Sequence, residues 1–80
     1  MTDAEFIKLL KTDGEKAIEF LFREHYDYLC RTVYRVLPKP AIIEDLVQDV
    51  FFELWRKHET LNITTSIKAY LRRAAVNKTL

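Results

Sequence analysis

With Cys30 as its only cysteine, the chain can form no internal disulfide. The residue lies near the apolar side of a helical pattern and reads as a small core side chain rather than a reactive thiol. Glycine occurs once and proline twice, which leaves little material for turns and argues against disorder or a repeat array. No apolar run approaches the ~18 residues of a membrane span. The N-terminus lacks the basic-then-apolar order of a signal segment. These absences predict a cytoplasmic chain without membrane insertion. No segment alternates with period two, so no strands are expected. The two histidines, His25 and His58, are far apart in sequence and have no partner at metal-ligand spacing. Both read as structural or solvated, and no metal is expected. A glycine-rich phosphate loop, a nucleophile elbow, a cysteine pair and a His-Glu-x-x-His motif are all missing. Asp45 and Asp49 are four apart on an exposed face and do not resemble an acid/base pair. The expectation is a protein that is no enzyme and takes no cofactor.

What is present is a chain of 80 residues, 49% apolar and 31% charged. That length allows one domain, residues 1–80, with one modest core. The net charge of +1 conceals a gradient. Residues 1–30 carry seven acids and four bases, and residues 31–59 five of each. Residues 60–80 carry four bases (Lys68, Arg72, Arg73 and Lys78) and no acid, for +4. A basic end beside a more acidic remainder suits contact with phosphates. It also suits a helix C-terminus, where cations oppose the dipole.

The pattern predicts an all-α, compact bundle of four helices at about 3–11, 15–37, 40–58 and 66–79. Thr2 and Glu5 have capping-box spacing for the first. Thr12-Asp13-Gly14-Glu15 repeats it for the second, with the glycine marking a break. The second helix places Ile18, Leu21, Phe22, His25 or Tyr26, Leu29, Val33, Val36 and Leu37 on its stripe, and its length favours a kink near His25 and Tyr26. Pro38 and Pro40 end it, and Pro40 suits the first turn of the third helix. That helix aligns Ile43, Leu46, Val47, Val50, Phe51 and Leu54 on one side. Residues 59–65 show no period and read as a loop. Thr64, Thr65 and Ser66 offer caps for a fourth helix, which buries Ile67, Tyr70, Leu71, Ala74 and Ala75.

Two surfaces remain once the apolar stripes are assigned. On the third helix, Asp45, Gln48, Asp49, Phe52 and Arg56 oppose the stripe, with Phe52 roughly 180° from its centre at 100° per residue. A large aromatic among carboxylates and an amide either meets a partner or packs on a loop of its own chain. The fourth helix carries Lys68 and Arg72 on one flank of its stripe and Arg73 and Asn77 on the other, with Tyr70 and Lys78. Arginine and lysine can hold phosphates, and asparagine can read a base edge. Together the surfaces fit an adaptor between a protein machine and nucleic acid. A helix-turn-helix regulator lacks its short glycine turn here. A protein-interaction module, with a merely solvated fourth helix, stays open.

Asp45-Leu-Val-Gln-Asp-Val-Phe-Phe-Glu-Leu-Trp55 resembles the region 2.2 helix of bacterial sigma-70-type factors, particularly the extracytoplasmic function (ECF) group. Ala69-Tyr-Leu-Arg-Arg-Ala-Ala-Val-Asn77 is similar to their region 2.3 to 2.4 helix, and the second helix to region 2.1. The resemblance spans nearly the whole chain and implies a sigma-70 region 2-like fold. It implies that Asp45, Gln48, Asp49 and Phe52 dock on the β′ clamp helices of RNA polymerase, with Trp55 an edge-of-core anchor. It implies that Asn77 contacts a base flipped from the non-template single strand of the promoter −10 element, and that the 59–66 loop helps form its pocket. Arg73 matches a recurrent family arginine, and Lys68, Arg72 and Lys78 are phosphate contacts by chemistry. Tyr70 stands where many relatives have tryptophan, and Asp49 where glutamate is commoner. The resemblance further implies an anti-sigma factor as partner. It also implies a second, helix-turn-helix domain (region 4) in a complete factor, beyond Leu80.

Overall fold

The computed structural model describes all of residues 1–80 and contains four helices and no strand. They are α1 (Asp3–Thr12), α2 (Gly14–Val36), α3 (Pro40–Arg56) and α4 (Ile67–Asn77). The helix α2 is the hub and packs against each of the other three, while α3 also meets α4. No helix is long and apolar enough to cross a membrane.

The local reasons are mostly those read from sequence. Thr2 and Glu5 exchange side-chain and backbone hydrogen bonds of 3.2 and 3.1 Å in a capping box. Pro40 occupies the first turn of α3. Of the three candidate caps before α4, Ser66 is used, its hydroxyl accepting from the Ala69 amide at 3.1 Å. The core draws on all four helices: Phe6 and Leu10 from α1, Ala17, Leu21, Leu29 and Val33 from α2, Ile43, Val47, Val50, Phe51 and Leu54 from α3, and Ile67, Leu71 and Ala75 from α4. Cys30 packs half-buried against it, and burial pushes its thiol pKa up.

Three expectations need correction. The helix ends differ by one or two residues: α3 stops at Arg56, and α4 spans Ile67–Asn77 rather than 66–79. In α3 the last predicted turn is taken up by a turn through residues 57–60. The helix α2 runs unbroken past His25 and Tyr26, both half-buried. Val36 is 50% exposed and Phe22 39% exposed, so neither is core. Phe22 instead covers the α2–α3 seam, edge-on to Phe51 at 5.1 Å and tilted on Tyr26 at 4.8 Å.

The third correction concerns Gly14, which lies inside the first turn of α2 rather than in a break. Asp13 closes α1 and caps α2 at once, its carboxylate accepting from the Lys16 amide at 3.3 Å. The backbone there is unremarkable for any residue, so glycine is required for space. A Cβ at Gly14 would overlap the His58 ring, which stacks on Trp55 at 4.4 Å and 7°. The ring nitrogen Nδ1 lies 2.6 Å from the Trp55 carbonyl oxygen and donates to it. Gly14→Ala gains helix propensity but displaces this stack, and aromatic stacking and propensity are each worth about 1 kcal/mol. In a His58→Ala background only the gain remains. Urea denaturation of the four proteins is therefore expected to give a coupling of about 1 kcal/mol between the two sites. Additive effects would show that the ring does not depend on Gly14.

Candidate functional site

The outer face of α3 is built by the same period that buries its stripe. Because Ile43, Val47, Val50, Phe51 and Leu54 are inside, Asp45, Gln48, Asp49, Phe52 and Arg56 must face out, and all five are exposed. Phe52 is 59% exposed. Beside it lies Arg56, whose guanidinium carbon is 6.0 Å from the ring centroid. That contact covers little of the ring and leaves an apolar surface flanked by charge. Neither Asp45 nor Asp49 joins an intramolecular salt bridge. Gln48 is near enough to the Tyr26 phenol of α2 to act on its titration. Burial pushes that phenol's pKa up, and the amide pulls the other way. Trp55, 39% exposed, lies beyond Phe52 with its ring held by His58. It is thus an edge residue anchored from the C-terminal turn.

The second surface lies where the end of α4 crosses α3. Tyr70, Arg73, Asn77 and Lys78 are brought into one open groove of about 340 Å³, together with Glu53, Lys57 and Ala74. Lys78 donates to the Glu53 carboxylate at 2.9 Å, tying the end of α4 to α3. This hydrogen bond holds the Glu53 carboxyl below its ordinary pKa. The Tyr70 phenol is raised, first by burial and then by the Glu53 charge. On the other side of α4, Arg72, Arg73 and Asn77 line a second groove of about 340 Å³ with Val36, Ala69 and Val76. Arg73 and Asn77 therefore stand on the ridge between two grooves. An amide and a guanidinium side by side at an open groove can pair with a base edge and a neighbouring phosphate. The loop before α4 is not slack, for Leu61 and Ile63 pack half-buried against the core.

Of the basic residues singled out in the sequence, Lys68 is placed apart. Its ammonium lies 4.4 Å over the Tyr28 ring of α2, at the opposite end of α4 from Asn77. Lys57 was missed by the sequence reading and lines the same groove as Arg73 and Asn77. Its only signal was the Glu53-to-Lys57 spacing of four, which does not reveal that α4 lies beside it.

The sequence model of the family described as sigma-70 region 2 matches residues 21–80. No curated protein and no solved structure gives a significant match.

Proposed function

Because the chain belongs to the sigma-70 region 2 family, whose members take part in RNA polymerase binding and promoter recognition, we propose that it is a transcription initiation domain of the ECF group. It docks on the polymerase β′ clamp helices and recognises and melts the promoter −10 element. Asp45, Gln48, Asp49 and Phe52 form the docking face. Asn77 reads a base of the non-template strand, Arg73 positions it, and Tyr70 lines the groove. Arg72, Lys68 and Lys78 add positive charge toward phosphates. The role is non-enzymatic and cytoplasmic, and an anti-sigma factor restrains it by covering one or both surfaces.

The observation that carries this reading is Phe52, 59% exposed in an 80-residue domain, one turn beyond Asp49 on a face whose carboxylates Asp45 and Asp49 are free of salt bridges. Such a residue is unfavourable in water and useful at the centre of an interface. The division of labour follows from charge. Flipping a base from the stack costs a few kcal/mol, and a domain of net charge +1 attracts DNA only weakly. Polymerase supplies the remaining grip and the domain supplies the reading.

The test is a titration of single-stranded −10 non-template DNA onto the domain bound to core polymerase, against a scrambled strand. Selective binding that requires polymerase is expected. Polymerase binding without strand selectivity would leave a protein-interaction module, and selective duplex binding by the free domain would favour a helix-turn-helix-type regulator.

A further inference from the structure

The first amide of α4 is not capped by its own neighbourhood. The Ile67 N–H donates to the Asp3 carboxylate of α1 at 3.1 Å, from 64 residues away in sequence. Ser66 satisfies the Ala69 amide, so two of the free amides at this helix start are served, one locally and one from α1. The Asp3 charge also opposes the positive end of the α4 dipole. On the same turn of α4, Lys68 rests on Tyr28 of α2. We propose that Asp3 is a positioning residue for promoter recognition, fixing where α4 begins and hence where Arg73 and Asn77 stand. This rests on the assignment of α4 as the promoter-reading helix.

The supporting geometry lies in how firmly Asp3 is itself held. It sits in the first turn of α1, whose capping box joins Thr2 to Glu5. Phe6 and Leu10 anchor that helix, 2% and 3% exposed, in the same core as Ile67. Like the 10-residue α1, α4 has only 11 residues, and isolated helices shorter than about 12 residues are marginal in water. Its direction must come from its neighbours. Binding constellations work only when held within about 0.5 Å of the productive geometry, so slack at Ile67 is carried along the helix to Asn77. Asp3 precedes residues 21–80, the part matched by the family, so the clasp is made by a segment outside the match.

The experiment compares wild type, Asp3→Ala and Asp3→Asn in three measurements. These are exchange of the Ile67 amide, affinity for a β′ clamp-helix fragment, and affinity of the polymerase-bound domain for −10 single-stranded DNA. Asp3→Ala is expected to speed Ile67 exchange and weaken strand binding about fivefold, the scale of a lost cap, with clamp affinity unchanged. Asp3→Asn keeps an acceptor oxygen and is expected to bind the strand within about twofold of wild type, since an uncharged cap serves as well as a charged one. Unchanged Ile67 exchange in Asp3→Ala would overturn the proposal, as would faster exchange with strand affinity intact. Clamp affinity falling in parallel would also overturn it, by showing a general loss of fold. If the wild-type complex does not select the strand, the promoter reading fails and the positioning role falls with it. Ile67 exchange would then still report whether Asp3 caps α4.

Discussion

Phe52→Ala is expected to weaken docking on the polymerase clamp about 30-fold, or ~2 kcal/mol, the scale of an interface hot spot. The ring is 59% exposed, with Arg56 beside it. Its removal should therefore shift the stability of the free domain by no more than ~0.5 kcal/mol. This separation makes Phe52 the sharper probe of the α3 face. Gln48 is a less clean one, since its amide also bears on the Tyr26 phenol of α2. Isothermal titration of the clamp fragment, with a melting curve for each variant, checks both halves of the expectation. A destabilised Phe52→Ala would mean that the ring supports its own fold. Unchanged affinity would remove the α3 face from docking.

Asn77→Ala is expected to abolish selectivity among −10 sequences, with a loss of roughly 1–3 kcal/mol for the preferred strand. The amide both donates and accepts, so it can match the edge of one unstacked base and mismatch others. Alanine leaves that edge unpaired. Arg72→Ala offers the contrast, because a phosphate contact holds every sequence alike and its loss should weaken all strands equally. Binding to the polymerase-bound domain, measured for the preferred and scrambled strands, separates the two. Equal losses on both strands for Asn77→Ala would reassign it to backbone contact.

How far the sequence led depends on the range of the interaction. The α3 face was legible because one helical period decides which residues are buried and which are not. Its buried side came out as expected apart from half-buried Leu46, and Phe52 proved exposed. The groove at the end of α4 was legible only in part. Arg73 and Asn77 share a wheel position, but Lys57 joins them through the crossing of α3 and α4. Charge alone gave Lys68 and Lys78 the same role, since it does not register neighbours. One rests on Tyr28 and the other on Glu53. Gly14 looked like a break because turns favour glycine, whereas its reason lies in the His58 ring, distant along the chain. The Asp3–Ile67 cap joins opposite ends of the sequence. No local pattern announces such a contact, because it exists only once α1 and α4 have been brought to the same side of α2.

The most direct measurement is the affinity of this domain for an isolated β′ clamp-helix fragment, wild type beside Phe52→Ala. Micromolar or tighter binding, weakened tenfold or more by the substitution (~1.4 kcal/mol or above), is the predicted result. A folded wild-type domain that does not bind the fragment would contradict the account.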